Sequence, residues 1–210
     1  MTDAVPEARQ AGLAGLRVLG LDPSLTLSGG AKIGPLGEPA ALYRWKPPAK
    51  LRGPERMAWH LDNMVRAAEG CDLVLIEGIA GSGVLGVEAH LELAGLHWVI
   101  RHRLYQLGLP CAVVQPSLRM LYLTGKGRVP KEECLLAAER RWPDIGFTGT
   151  DDADAYTLAH MGADWLGFAP ARMPADRRAV LTRIVPAKKN KPAHPAIVWP
   201  VLRKETVDAR

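Results

Sequence analysis

Asp151 and Asp154 open a stretch of helical periodicity, DDADAYTLAHMGADWLG (151–167). The buried stripe of such a helix is predicted to run through Ala155, Leu158, Ala159, Gly162 and Trp165 or Leu166. Asp151 lies four residues before Ala155, and Asp154 four before Leu158, so both carboxylates extend the core-facing stripe. Asp152 falls on another line, with Tyr156, His160 and Asp164 on the predicted polar face. Inward carboxylates one turn apart repel each other and lose hydration, so a proton, a basic partner or a metal ion must offset them. A hard cation such as Mg2+ takes oxygen ligands of this kind. For this helix alone the competing expectation is structural. Thr148-x-x-Asp151 reads as a capping box, and acids near a helix N-terminus suit its dipole.

Two further acids shift that balance. Asp22 ends the apolar run Leu16-Arg-Val-Leu-Gly-Leu21, and Glu77 ends Leu73-Val-Leu-Ile76. Both runs read as buried strands, the second continuous enough for a central strand covered on both faces. In sheets flanked by helices, sites gather where strands leave the core. Asp22, Glu77, Asp151 and Asp154 are therefore expected to form one carboxylate cluster. Such a cluster can hold two divalent ions about 3.5–4 Å apart, acting on the attacking and leaving oxygens of a nucleic-acid phosphodiester.

Other segments must position these acids. Leu25–Ile33 and Ala40–Trp45 read as strands, with Gly34, Pro35 and Gly37 marking a turn between them. Pro54 opens a helix whose residues Met57, Leu61, Met64, Val65 and Ala68 repeat at three-to-four spacing, and Gly70 closes it. A long helix from Val84 to Leu107 precedes a strand over Cys111–Val114, and helices are expected over 130–142 and 151–167. This order predicts an α/β fold with a mixed sheet of about five strands and helices on both faces. Residues 1–15 read as a flexible lead-in, 16–168 as one domain, and 169–210 as a basic, proline-containing tail.

The formal net charge is +5, and its distribution is uneven. From Ala171 to Arg210 there are ten Lys/Arg and three Asp/Glu, a balance of +7, which leaves −2 for the preceding residues. Such a tail can follow a phosphate backbone by releasing counterions; the alternative is a solvated, partly disordered extension. Cys71, Cys111 and Cys134 lie far apart and form no CxxC pair, which argues against a zinc ribbon or disulfide scaffold. The N-terminus lacks a long apolar run, and no stretch of the sequence is long and apolar enough to suggest a membrane span. A soluble, cytoplasmic protein is expected.

Four segments, V-L-G-L-D-P-S (18–24), L-V-L-I-E (73–77), G-K-G-R-V-P-K (125–131) and D-D-A-D-A (151–155), carry a resemblance in their order and spacing. Across residues 16–167 the chain resembles the RuvC family of Holliday-junction resolvases, within the RNase H-like fold. The resemblance implies cleavage of four-way DNA junctions that depends on Mg2+, or Mn2+ in its place. It also implies two ions per site and a homodimer, since a two-fold junction needs two symmetric cuts. Asp22, Glu77, Asp151 and Asp154 occupy the family's metal-binding positions. Lys131 matches a family lysine beside the scissile phosphate, and Lys126 and Arg128 are implied backbone contacts; their alternative is an ordinary exposed basic turn. Many relatives carry lysine shortly before the Thr-Gly, where this chain reads Met120-Leu121-Tyr122-Leu123. Arg119, in a displaced register, is the candidate substitute as a DNA contact.

Rival readings keep the same fold. One is a nuclease acting on flaps, replication forks or branched packaging intermediates, and another is a non-catalytic junction-binding protein. A third, an actin-like ATPase or sugar kinase, favours Asp-Gly after its first strand, whereas Asp22 precedes Pro23 here. Gly81-Ser-Gly-Val-Leu-Gly86 satisfies GxGxxG, but four residues separate it from the strand, and the acid expected about 20 residues later is missing. Gly81, Ser82 and Gly83 are expected instead to form a close-approach loop touching the DNA backbone. His90, His97 and His102 do not share a metal-binding face and are expected at the surface or an interface. Trp59, Trp98, Trp142 and Trp165 are expected mostly in the core, and Tyr122 either in the core or stacked on an exposed base.

Overall fold

The computed structural model describes residues 15–35, 38–79, 86–188 and 191–202. Five strands form one sheet: β1 (Val18–Asp22), β2 (Ser28–Ile33), β3 (Ala41–Trp45), β4 (Leu73–Glu77) and β5 (Cys111–Val114), in the order β3-β2-β1-β4-β5. β1 pairs antiparallel with β2 and parallel with β4, so the sheet is mixed as expected. α1 (Gly53–Ala68) and α2 (Val87–Gln106) cover one face. α3 (Pro116–Thr124), α4 (Lys131–Arg141) and α5 (Thr150–Leu166) cover the other.

The apolar runs of β1 and β4 are continuous because each successive side chain meets a covered face. Leu19, Leu21, Val74 and Ile76 point toward α1 and α2, while Val18, Leu73 and Leu75 point toward α5. Gly20 lies in phase with Val18, and a methyl group there would overlap the carbonyl oxygen of Ala155. At Gly29 on β2 a methyl would overlap the Asp151 carbonyl. Both glycines therefore let the α5 backbone lie directly on the sheet.

α5 is buried around nearly its whole circumference. Asp152, Tyr156, His160 and Asp164, expected on a polar face, are all buried. The Asp152 carboxylate accepts hydrogen bonds from Gly149 N (3.0 Å), Thr148 N (2.9 Å) and Thr148 Oγ1 (2.8 Å). It is the capping acid, with Gly149 at the N-cap, so the expected box on Asp151 is shifted by one residue.

The covering layer on this side includes chain read from the sequence as a tail. After Gly167 the chain packs back through α6 (Ala175–Arg178), a short 3-10 turn (Ala179–Thr182) and a small hairpin of β6 (Ile184–Val185) and β7 (His194–Pro195). Phe168, Met173, Val180, Leu181 and Ile197 enter the same core as α5. Trp199 stacks on Trp165 with ring centroids 4.4 Å apart, and its Nε1 donates to the Leu181 carbonyl at 2.8 Å. As far as residue 202, the described part of this stretch is integral to the fold.

Tyr122 resolves into the core. Its hydroxyl donates to Asp164 at 2.8 Å and lies 2.8 Å from His160 Nδ1, while Arg178 bridges to Asp164 at 2.8 Å. Burial pushes the His160 imidazole down to about 4 from an ordinary 6.5. The folded value lies below the unfolded one, so stability from neutral His160 is whole above pH 6.5 and is lost as pH falls toward 4. At about 1.4 kcal/mol per pH unit, the loss is about 3 kcal/mol. In urea titrations from pH 7 to 4, wild type is expected to lose this much relative to His160→Gln; a pH-independent difference would contradict it.

Candidate active site

β1 and β4 run parallel in register, Leu21 opposite Ile76, so Asp22 and Glu77 leave the sheet side by side. Alternation along each strand decides where they point. Asp22 is in phase with Val18 and Gly20, and Glu77 with Leu73 and Leu75, so both acids face α5. α5 supplies Asp154 one turn inside its N-terminus, buried at 5% exposure. His97, on α2, holds the end of β4 by placing Nε2 3.1 Å from the Glu77 carbonyl oxygen. The surface or interface role expected for His97 is thus replaced by a buried, positioning one.

Arg119 stands at the centre of the cluster. Its Nε donates to Glu77 Oε1 at 2.5 Å, and its Nη1 bonds to Asp154 Oδ1. The side chain is 6% exposed. Arg119 was expected to contact DNA, but it turns inward because it shares the buried side of α3 with Leu118, Tyr122 and Leu123. Nothing in the sequence marked α3 as a helix with an inward arginine except Pro116 at its first turn and Gly125 at its C-cap.

The remaining acid sits at the rim. Asp151 is partly exposed and lies 3.7 Å from Arg44 on β3, whose guanidinium also reaches Thr148 Oγ1 at 3.3 Å. Arg44 had no signal in the sequence, since its partner lies more than a hundred residues away. Lys131 opens α4 on the surface, and its positive charge acts on Asp154. Lys126 and Arg128 are exposed on the loop between α3 and α4, with Lys126 Nζ 3.1 Å from Glu133. Gly81, Ser82 and Gly83 lie outside the described residues.

Burial, reinforced by the Glu77 and Asp154 carboxylates, pushes Asp22 well above the usual carboxylate range, while Arg119 opposes the rise. Burial lifts Asp154 to about 7 against the pull of Arg119, with Glu77 adding to the rise. Raised proton affinity in neighbouring carboxylates marks a site short of positive charge. The donor set is all oxygen, which suits a hard divalent cation rather than zinc. Among the described residues no three acidic, histidine or cysteine side chains surround a single metal-sized gap. Arg119 lies between two of the four candidates. In donor chemistry alone the acids fit such an ion, with Asp22, Glu77 and Asp154 as the groups that would hold it.

A mixed five-stranded sheet with an acid-bearing helix laid across its antiparallel half is the RNase H-like fold. Within that class the chain is similar to Thermus thermophilus RuvC, with 19% identity and a TM-score of 0.55 over 75% of this chain and 100% of that one. A second structure, T. thermophilus RuvC in complex with a Holliday junction substrate, matches at 16% identity and a TM-score of 0.56, covering 76% and 99%. At these identities the likeness is one of fold. No family model matches the chain, and no curated protein matches it.

Proposed function

We propose that the protein is a divalent-metal-dependent endonuclease that resolves four-way DNA junctions. The observation that carries this reading is the convergence of Asp22, Glu77 and Asp154 from two strand ends and one helix, in the fold of a protein solved with a Holliday junction. When bound, the metal, Mg2+ or Mn2+, activates a water toward the phosphodiester and offsets charge on the leaving oxygen. Asp22 and Glu77 at the strand ends and Asp154 on α5 would hold that ion, with Asp151 at the rim. Lys131 meets the scissile phosphate from the opening of α4, and Lys126 and Arg128 contact the backbone beside it.

Support for a homodimer comes from α2. Val87, Leu91, Trp98 and Tyr105 are exposed along it, the last three seven residues apart, which aligns them on one face of a helix. Trp98, expected in the core, is 64% exposed, with Arg101 stacked 4.5 Å over its ring. A large aromatic and aliphatic stripe is what a self-complementary two-fold contact uses. The double variant Leu91→Asp, Trp98→Asp is expected to be monomeric by light scattering and to nick junctions instead of making paired cuts. A dimeric double variant would remove α2 from the interface.

The reading is tested by incubating the protein with four-way, three-way, flap and fork DNAs at equal salt, with and without Mg2+. Paired cuts in the four-way substrate alone are expected. Preferential cleavage of flaps or forks would move the assignment to another branched substrate. Tight junction binding without cleavage would identify a non-catalytic binder.

A further inference from the structure

We infer that Arg119 is a resident cation replacing one of the two metal ions, so that each chain binds a single divalent ion; this rests on the metal-dependent reading above. The guanidinium contacts one oxygen of Glu77 and one of Asp154, carboxylates contributed by different elements. Arg119 thus supplies to two carboxylates the positive charge that a further metal ion would otherwise supply.

Arg119 is not placed to leave. α3 is anchored by Leu118, Tyr122 and Leu123 in the core, and Tyr122 is tied to Asp164 and His160. The thiol of buried Cys134 borders the guanidinium on the α4 side. Withdrawing the side chain would strand two buried carboxylates and break two charge-assisted hydrogen bonds. An arginine keeps its charge at any working pH, so it fills the position permanently where a metal would exchange.

Charge counting agrees. The carboxylates of Asp22, Glu77, Asp151 and Asp154 face the guanidiniums of Arg119 and Arg44, and Lys131 adds a third positive charge beside Asp154. With all four acids ionised one negative charge remains, which one divalent ion more than offsets. Two ions would leave the site still more positive before any phosphate arrived. Asp22, which forms no ion pair among the described residues, is the acid left to take the metal.

The count can be read without cleavage. Metal-free, full-length protein is titrated with Mn2+, and the free-ion electron paramagnetic resonance signal reports the bound number. One Mn2+ per chain is expected for wild type, one for Arg119→Lys, two for Arg119→Met, and none for Asp22→Asn. Two ions in wild type, or one in a folded Arg119→Met, overturn the inference while leaving a metal-dependent nuclease intact. Circular dichroism checks that Arg119→Met folds; if it does not, the wild-type number decides. Failure of wild type both to bind Mn2+ and to cut branched DNA overturns the nuclease reading and the inference with it.

Discussion

Replacing Asp22 with asparagine is expected to lower four-way junction cleavage by about a thousandfold or more, a barrier increase of roughly 4 kcal/mol, while junction binding changes little. The same substitution is expected to raise the urea midpoint of the metal-free protein at pH 8. Burial, then the Glu77 and Asp154 carboxylates, hold Asp22 well above its ordinary range. A carboxyl with a raised folded value weakens the fold once ionised, so its contribution is lost as pH rises. Asparagine keeps the shape without that charge. Activity lost together with stability gained is the signature of a functional acid; full activity with Mg2+ present, or a lower midpoint, would count against the assignment.

The second large effect concerns the C-terminal stretch. A chain ending at Ala169 is expected to lose cooperative unfolding, because it removes Met173, Val180, Leu181 and Ile197 from the core that α5 shares. Each buried apolar side chain contributes about 1.5–3 kcal/mol, so four of them stabilise by roughly 6 kcal/mol or more. That is comparable with the entire stability of a small domain, about 5–15 kcal/mol. Trp199→Ala is a milder version, removing the stack on Trp165 and the bond to Leu181, with an expected loss of about 2 kcal/mol in urea unfolding. A truncated chain with a sharp, wild-type-like transition would show that the stretch is dispensable.

The sheet was legible because apolar runs covered on both faces leave a local trace, and β1, β4 and β5 appear within a residue or two of their expected ends. The inward placement of Asp154 was legible from helical phase, as was the separation of Asp152. The reason for that separation was not. Asp152 looked solvent-facing because its line carries Tyr156, His160 and Asp164, and the last two pair with Tyr122, far away in sequence. The same cause hid the packing after Gly167. Its charge density suggested a solvated tail, yet Arg178 is partnered by buried Asp164, and Arg177 donates to the Leu123 carbonyl at 2.7 Å. Arg119 reads from the sequence as a DNA contact, whereas it lies inward between Glu77 and Asp154. Only its neighbours Leu118 and Tyr122, read as one buried face, could have turned it inward. Trp98 illustrates the reverse: aromatic identity suggested the core, whereas the fold leaves it on the outer face of α2.

Contact between α5 and the sheet at Gly20 and Gly29 has a consequence for tolerance to change. Elsewhere in the core, elements are separated by side chains that can repack, and the gaps between them can drift by an ångström over many substitutions. Between β1 and α5 there is backbone against backbone. The spacing of Asp22 from Asp154 is thus set by peptide geometry, like a ruler cut from one piece. Homologous chains can therefore exchange most of their core residues and stay within working tolerance at the strand ends, so long as these two positions keep no side chain.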